Sequence, residues 1–164
     1  MKFIDTHHDQ WHLVAGEDGP MPHPDPAPHL LLSLEQWHAV RDTWPADVSV
    51  GVQLANDFDV EEIAADLPWL GLVVLNFPKW VDGRAYTQAR LLRSRYRFAG
   101  EIRAAGEVLV DMLPLLQRTG FDAIQLRRDQ NIDDARRALG FFPGHYQGDA
   151  TQVHPIFAAD RKAA

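Results

Sequence analysis

The sequence has 164 residues and a mass of 18.5 kDa, the size of one domain with room for a short additional element. Hydrophobic residues make up 46% and charged residues 24%, which excludes a disordered chain, collagen and a coiled coil. The absence of cysteine excludes disulfides, thiolate zinc sites, iron–sulfur ligation and cysteine nucleophiles. No apolar run approaches the roughly 20 residues that span a bilayer, and no basic-then-apolar segment opens the chain. We therefore expect a cytoplasmic protein without membrane contact.

Charge is unevenly distributed along the chain, although the formal net charge is only −7. Residues 1–78 contain two basic and 13 acidic residues, whereas residues 79–164 contain 14 basic and 10 acidic residues. The segment 79–103 alone has seven basic residues and two acidic ones. This pattern indicates a site for an anion or an acidic partner surface, with a solvated helix face as the alternative. The acidic total and the absence of a binding motif exclude nucleic acid as a partner.

The N-terminal part of the chain predicts short strands, an extended arm and one helix. Weak alternation of apolar residues over 1–14 is typical of one or two short strands. Alternating prolines over 16–28 favour an extended arm, because proline lacks the backbone donor that a helix needs. A strand at 29–32 then leads into a short helix that Ser33 caps. We assign residues 1–47 to this segment.

Residues 48–140 predict an α/β core of about four successive strand–helix units, followed by a C-terminal tail over 141–164. The strands are expected at 48–54, 72–75, 101–105 and 121–126. The helices are expected at 60–67, at 83–96 with Asp82 as its cap, after Asp111 as far as Gly120, and at 132–139 with Asn131 as its cap. Such alternation implies parallel strands joined by right-handed crossovers. Four units fit either an open sheet or half of an eight-stranded barrel.

Cationic side chains follow the predicted strands, where ligands of α/β proteins gather. We predict that Lys79, Arg84, Arg103 and Arg127 form an anion-binding pocket for a small oxyanion or carboxylate. If the protein is an enzyme, Lys79 and Asp82 are the candidates for acid–base catalysis. The alternative is a structural network in which Arg84, Arg90 and Arg103 pair with nearby carboxylates. The carboxylates available for it are Asp82, Glu107, Asp111 and Asp122.

Familiar cofactor and nucleophile motifs are missing from the sequence. It has no Gly-x-Ser-x-Gly, no phosphate-binding glycine loop and no dinucleotide fingerprint, so no cofactor is assigned. His8 and His12 have the i, i+4 spacing of a metal site on a helix. Because no helix is expected there and no carboxylate or cysteine completes the ligand set, we expect no metal site.

Four blocks of the sequence, at 77–86, 88–93, 100–109 and 120–123, resemble the bacterial family called domain of unknown function 934, and the close similarity covers about residues 70–127. The shared motif residues are Pro78, Asp82, Gly83, Arg84, Tyr86, Arg90, Arg103, Gly106, Asp111, Phe121 and Asp122. Members of this family are named as oxidoreductases or as accessory proteins of assimilatory sulfite reduction, with genes beside that of a sulfite reductase haem subunit. The family often has an acidic residue and a cysteine where Asn76 and Thr119 stand here.

The resemblance implies an accessory or subunit-like protein of sulfite reduction, within sulfate assimilation. Its expected partners are the sulfite reductase haem subunit or a small oxyanion. The alternative is a small enzyme of unknown reaction whose cationic site lies at the carboxyl ends of the strands. Uncovered sheet edges favour a homodimer in either case.

Overall fold

A computed structural model describes residues 1–14, 21, 23–142, 145–150, 152 and 154 of the chain. Its strands form one all-parallel sheet of seven strands, which curls into an open half-barrel accompanied by four helices. This confirms the predicted α/β class with parallel strands, and of the two expected architectures it is the half-barrel that forms.

The seven strands are arranged almost in sequence order. They are β1 (Lys2–Phe3), β2 (His12–Leu13), β3 (Leu30–Ser33), β4 (Val50–Leu54), β5 (Leu70–Phe77), β6 (Glu101–Gly106) and β7 (Ala123–Ile124). Across the sheet the order is β2, β3, β4, β5, β6, β7, β1. The first two strands are therefore neighbours in the chain but lie at opposite edges of the sheet, and residues 4–11 connect them.

Three of the predicted helix ends are confirmed among the four helices α1 (Leu34–Val40), α2 (Arg84–Ser94), α3 (Leu113–Thr119) and α4 (Ile132–Leu139). Ser33 and Gln36 form the predicted capping box at the start of α1. The side chain of Asn131 accepts backbone hydrogen bonds at the start of α4. Gly120 ends α3 in the left-handed conformation that glycine adopts at little cost.

The helix expected at 60–67 is wrong. Two short 3₁₀ turns, Val60–Ile63 and Leu67–Trp69, occupy this part of the chain. Pro68 has no backbone N–H to donate and disfavours α-helical backbone at the residue before it, and it lies in the first turn of the second 3₁₀ segment.

Two of the predicted helix caps are also wrong. Gly83, not Asp82, is the N-cap of α2, although Asp82 still accepts a hydrogen bond from the backbone N–H of Arg84. Asp111 lies inside a 3₁₀ turn that precedes α3, and Met112 takes the cap position of that helix. A carboxylate can bond to the first N–H groups of a helix from more than one position, so its presence fixes the end of a helix only to within a residue or two.

Alternate side chains of the strands enter two different apolar clusters. On the convex face, residues such as Val52, Val73, Leu75 and Ile102 pack in one large cluster with the buried sides of the helices. A second, smaller cluster on the concave face contains Trp11, Leu31, Leu72 and Val74. The helices therefore cover only one face of the sheet, and this leaves the concave face to carry a site.

The predicted N-terminal segment contributes to the same sheet as the predicted core, because β3 pairs with β4 and β1 pairs with β7. The division of the chain at residues 47 and 140 stays a prediction. Most of the proline-rich arm, at 15–20 and 22, and much of the tail, at 143–144, 151, 153 and 155–164, lie outside the described residues. None of the helices in the described ranges has the length and apolar character needed to cross a membrane.

Arg93 ties the end of α2 to the start of β6. Its guanidinium donates to the backbone carbonyls of Phe98, Gly100 and Gly120, and it forms an ion pair with Asp122. The carboxylate of Asp122 also accepts a hydrogen bond of 2.8 Å from the backbone N–H of Ile102. One side chain thus donates hydrogen bonds to three backbone carbonyl groups that accept none within a helix or between strands.

We expect the Arg93→Met substitution to lower the free energy of unfolding by about 2–3 kcal/mol, because three carbonyls and one carboxylate lose their donor. Urea unfolding measures the change. Arg90→Met is the matched control, since Arg90 is exposed on the same helix and its side chain bonds to no described residue. Equal unfolding midpoints for the two variants would contradict this role of Arg93.

Candidate functional site

The upper part of the concave face, near the carboxyl ends of the strands, is polar. Gln53 of β4, Val74 of β5 and Arg103 of β6 lie side by side in one row of the sheet. In the next row toward the carboxyl ends, Asn76 lies beside Ala105. Because side chains alternate between the two faces of a strand, these residues point away from the helices.

These side chains line a cavity of about 510 Å³ that opens at the mouth of the half-barrel. Residues between β1 and β2 and the small residues at the end of β6 complete its wall. The lining residues are Thr6, Asp9, Trp11, His12, Leu13, Leu31, Gln53, Val74, Asn76, Arg103, Ala105, Gly106 and Gln125. Its volume suits a small molecule, and its position is where parallel α/β proteins bind their ligands.

Three carboxamide side chains in this pocket have no internal partner. Gln53, Asn76 and Gln125 are half-buried, and none forms a side-chain hydrogen bond with another described residue. Together they offer three NH₂ groups and three carbonyl oxygens to whatever occupies the cavity. Half-buried amides that the protein does not use itself are typical of a binding surface.

Arg103 is the centre of a buried charge network on the same face. Its side chain is only 4% exposed, and it forms ion pairs with Asp9 and with Glu101. The Nε–Oε1 and Nη2–Oε1 distances to Glu101 are 3.1 and 2.8 Å. The other carboxylate oxygen of Glu101 accepts a hydrogen bond of 2.9 Å from Lys2 Nζ, which raises the pKa of Lys2. Two cations and two carboxylates thus give the network no net charge.

Trp11 closes the lower end of the pocket. Its indole packs against β4 and β5 where Gly51 and Gly71 lack side chains, and a Cβ at either position would come within 3.2 Å of the ring. The backbone N–H of Trp11 donates to Asp9, so the indole and the partner of Arg103 are positioned by the same short segment. The lower half of the concave face is therefore filled, and the open volume lies above it.

Two of the predicted anion-binding residues, Arg84 and Arg127, are bound to carboxylates outside this network. Arg84 forms hydrogen bonds of 3.0 and 2.7 Å to the two carboxylate oxygens of Asp82, and the pair is partly exposed at the start of α2. Arg127 pairs with Glu107 and Asp129. Its hydrogen bonds to Asp129 lower the pKa of that carboxyl to about 2. The Arg84–Asp82 pair agrees with the structural network that the sequence left open. Arg103 instead pairs with Asp9 and Glu101, and Arg90 pairs with no described residue.

The four predicted cations do not meet in one place. Arg103 lies in the middle of β6, not at its end as expected, and its side chain is on the concave face. Arg84 is the first residue of α2, whose buried side packs on the convex face, and it is not among the residues that line the pocket with Arg103. Lys79 is exposed in the loop after β5 and forms no ion pair within the described ranges. Anion binding by this set stays a prediction.

Asp82 is a poor candidate for acid–base catalysis. Its hydrogen bonds with Arg84 hold the pKa of the carboxyl far below its ordinary value, and burial opposes this only in part. A carboxyl group with so low a pKa is ionised at neutral pH and is too weak a base to remove a proton efficiently. Lys79 is the remaining candidate of the predicted pair.

The family model for a bacterial protein of unknown function, DUF934, matches residues 51–157. The chain belongs to the DUF934 family. The matched segment covers more than half of the 164 residues and includes Gln53, Asn76, Arg103 and Gln125. No curated protein matches the chain.

Several motif residues of the DUF934 protein hold its fold together. Gly106 has a positive φ of 94°, and a Cβ there would lie 2.5 Å from the backbone oxygen of Phe77. Tyr86 packs edge-on against Phe77 and Phe121, with ring centroids 5.2 and 6.5 Å apart. Asp122 is the partner of Arg93. These motif residues are therefore explained at least as well by their role in the fold as by a role in chemistry.

Asp9 was not predicted as a site residue. It stands in a polar stretch whose strand signals were weak, and nothing in its spacing indicates a partner 94 residues away in the chain. Gln53, Asn76 and Gln125 lie at the ends of the expected strands, but neutral amides add nothing to the charge pattern that indicated a site. Among the residues that the structure describes, no group of three or more His, Cys, Asp or Glu could hold a metal ion.

Arg103→Met should lower the free energy of unfolding by about 3–5 kcal/mol, because it leaves two buried carboxylates without their shared partner. Arg84→Met should leave it nearly unchanged, since that ion pair is partly exposed. Chemical unfolding of both variants gives the comparison. If Arg103→Met lowers the free energy of unfolding no more than Arg84→Met does, the ion pairs of Arg103 do not stabilise the fold as expected.

The carboxyl of Asp82 should remain ionised at a pH where other aspartates are already protonated. Its contribution to stability is then present above the pKa of the unfolded chain and is lost as the pH falls through the lowered native pKa. In Arg84→Met this pKa should return toward the ordinary value. Carboxyl chemical shifts followed by NMR across an acid titration measure it, and an unchanged midpoint in the variant would rule out Arg84 as the cause.

Proposed function

We propose that this protein is an accessory or subunit-like protein of assimilatory sulfite reduction, and that it acts by binding a small molecule in the concave pocket. The observation that carries the binding role is the pocket itself, with three half-buried amides that the described residues leave unused. The link to sulfite reduction rests on the family resemblance. The sulfite reductase haem subunit is the proposed protein partner, and the proposed location is the cytoplasm.

A small oxyanion has less support as the ligand. Arg84, Arg103 and Arg127 already share their charge with carboxylates, and an oxyanion at Arg103 must compete with Asp9 and Glu101. These three arginines, which the sequence suggests for anion binding, are each paired with a carboxylate in the fold. A homodimer also belongs to this proposal, because within the described residues the short edge strands β1 and β2 have no neighbouring strand on their outer sides.

A small enzyme is the second candidate, and one observation favours it. Lys79 follows β5 at the mouth of the half-barrel, is exposed, and makes no ion pair with a described residue, so its amine is available for chemistry. This alternative requires that Lys79→Met abolish function while the protein remains folded. Full function of a folded Lys79→Met variant would remove it.

Growth of a deletion strain on different sulfur sources tests the proposal. We expect the strain to require cysteine on sulfate and on sulfite and to grow on sulfide, which places the lost step at sulfite reduction. The wild-type gene should restore growth. Asn76→Leu should fail to do so because it removes one of the pocket amides, whereas Gln117→Leu, an exposed amide on α3, should restore growth.

Two results would contradict the proposal. One is a deletion strain that grows on sulfate as well as its parent does. The other is failure of the tagged protein to copurify with the sulfite reductase haem subunit from cells growing on sulfate. Circular dichroism and an unfolding curve of Asn76→Leu establish that a growth defect of this variant does not come from misfolding.

A further inference from the structure

The polar groups of the concave pocket are both donors and acceptors, and they are spread over neighbouring strands. Gln53, Asn76 and Gln125 belong to or directly follow β4, β5 and β7, and the small Ala105 and Gly106 of β6 lie between the last two. A carboxamide presents an N–H and a C=O side by side. Its complement is a ligand edge with the same adjacent pair in the opposite order, as in an amide or a lactam.

The charge of the pocket argues against an ionic ligand. Arg103 and Asp9 both line it, and with Glu101 and Lys2 they form a network of zero net charge. An anion in the cavity would lose its hydration and would meet the carboxylate of Asp9. A cation would meet the guanidinium of Arg103. A neutral molecule with hydrogen-bonding groups avoids both desolvation costs.

The cavity also has apolar walls that suit a flat ring. Leu13 of β2 lies beside Leu31 in the sheet, on the concave face, and is 61% exposed although it lines the pocket. Val74 and Ala105 lie between the polar residues on the other side. A planar molecule can place its edges on the amides and its faces on these side chains, and it then covers Leu13.

We propose that the concave pocket binds an uncharged, planar heterocycle through a lactam or amide edge, recognised by Gln53, Asn76 and Gln125. This inference names the ligand class for the proposed function, and it rests on that function for the location of the site. Asp9 and Arg103 act as positioning residues, because their ion pair fixes the segment that forms one wall and keeps the pocket electrically neutral.

Hypoxanthine, purine and sulfite are the three probes. Hypoxanthine is neutral near pH 6.5 and has a lactam edge, purine has the same rings without it, and sulfite is an oxyanion. We expect hypoxanthine to bind in the millimolar range or better by calorimetry. Purine should bind at least ten times more weakly, and sulfite should give no heat. Chemical shift changes should be largest for the side-chain amides of Gln53, Asn76 and Gln125.

Three amide variants and one control complete the test. Gln53→Leu, Asn76→Leu and Gln125→Leu should each weaken hypoxanthine binding about 2- to 10-fold, the effect of one lost neutral hydrogen bond. Gln117→Leu, on the convex side of the molecule, should bind as the wild type does. Unfolding curves of all four show that the variants are intact.

The proposal is overturned if hypoxanthine does not bind at its solubility limit, if purine binds equally well, or if sulfite binds in its place. Failure of the ligand class and failure of the proposed function give different results. If Asn76→Leu does not restore growth and hypoxanthine does not bind, the function stands with another ligand. If hypoxanthine binds and all three amide variants restore growth on sulfate, the ligand class stands and the function does not.

Discussion

A guanidinium buried on the concave face of the sheet sets the strongest constraint on this fold. A charge removed from water must find opposite charge and hydrogen bonds within the protein. Arg103 finds them in Glu101, on its own strand, and in Asp9, which belongs to the segment between β1 and β2. The ion pair therefore holds that segment over the concave face, while Lys2 of β1 reaches the same cluster through Glu101. The edge strand β1 and the segment that leads to β2 are thus both connected to β6 by this network.

Packing divides the concave face into a closed half and an open half. Gly51 and Gly71, near the amino ends of β4 and β5, make room for the indole of Trp11, so the lower half is filled by an apolar side chain from outside the central strands. Near the carboxyl ends, no side chain of comparable size among the residues that the structure describes enters, and amides line the remaining volume. The location of the site thus follows from where Trp11 is placed, and Trp11 is placed by Asp9 and Arg103.

The basic residues clustered in the sequence have a different role in the fold than their clustering suggests. The basic segment at 79–103 suggested an anion site, but three of its arginines form ion pairs with carboxylates: Arg84 with Asp82, Arg93 with Asp122, and Arg103 with Asp9. Each of these pairs fixes a loop or a strand end. These three charges therefore support structure, and the uncharged amides Gln53, Asn76 and Gln125 line the concave pocket.

The sequence by itself determined the parallel α/β class, four of the strands in the predicted core, the capping box at Ser33 and the end of α3 at Gly120. Hydrophobic alternation, backbone N–H groups at helix starts and the left-handed backbone of glycine are local properties, and they act over a few residues. The two 3₁₀ turns within residues 60–69 were not predicted, because the apolar residues there have the spacing of an α-helix.

Only the tertiary structure decided that the sheet is a half-barrel, that Arg103 faces its interior, and that Asp9 is its partner. The curvature depends on how β1 and β2 reach opposite edges, and each of these strands has two residues, too few to show a pattern in the sequence. The pairing of Asp9 with Arg103 joins residues 94 positions apart. Such contacts arise when the whole sheet closes around a shared volume, and no local preference of either residue encodes them.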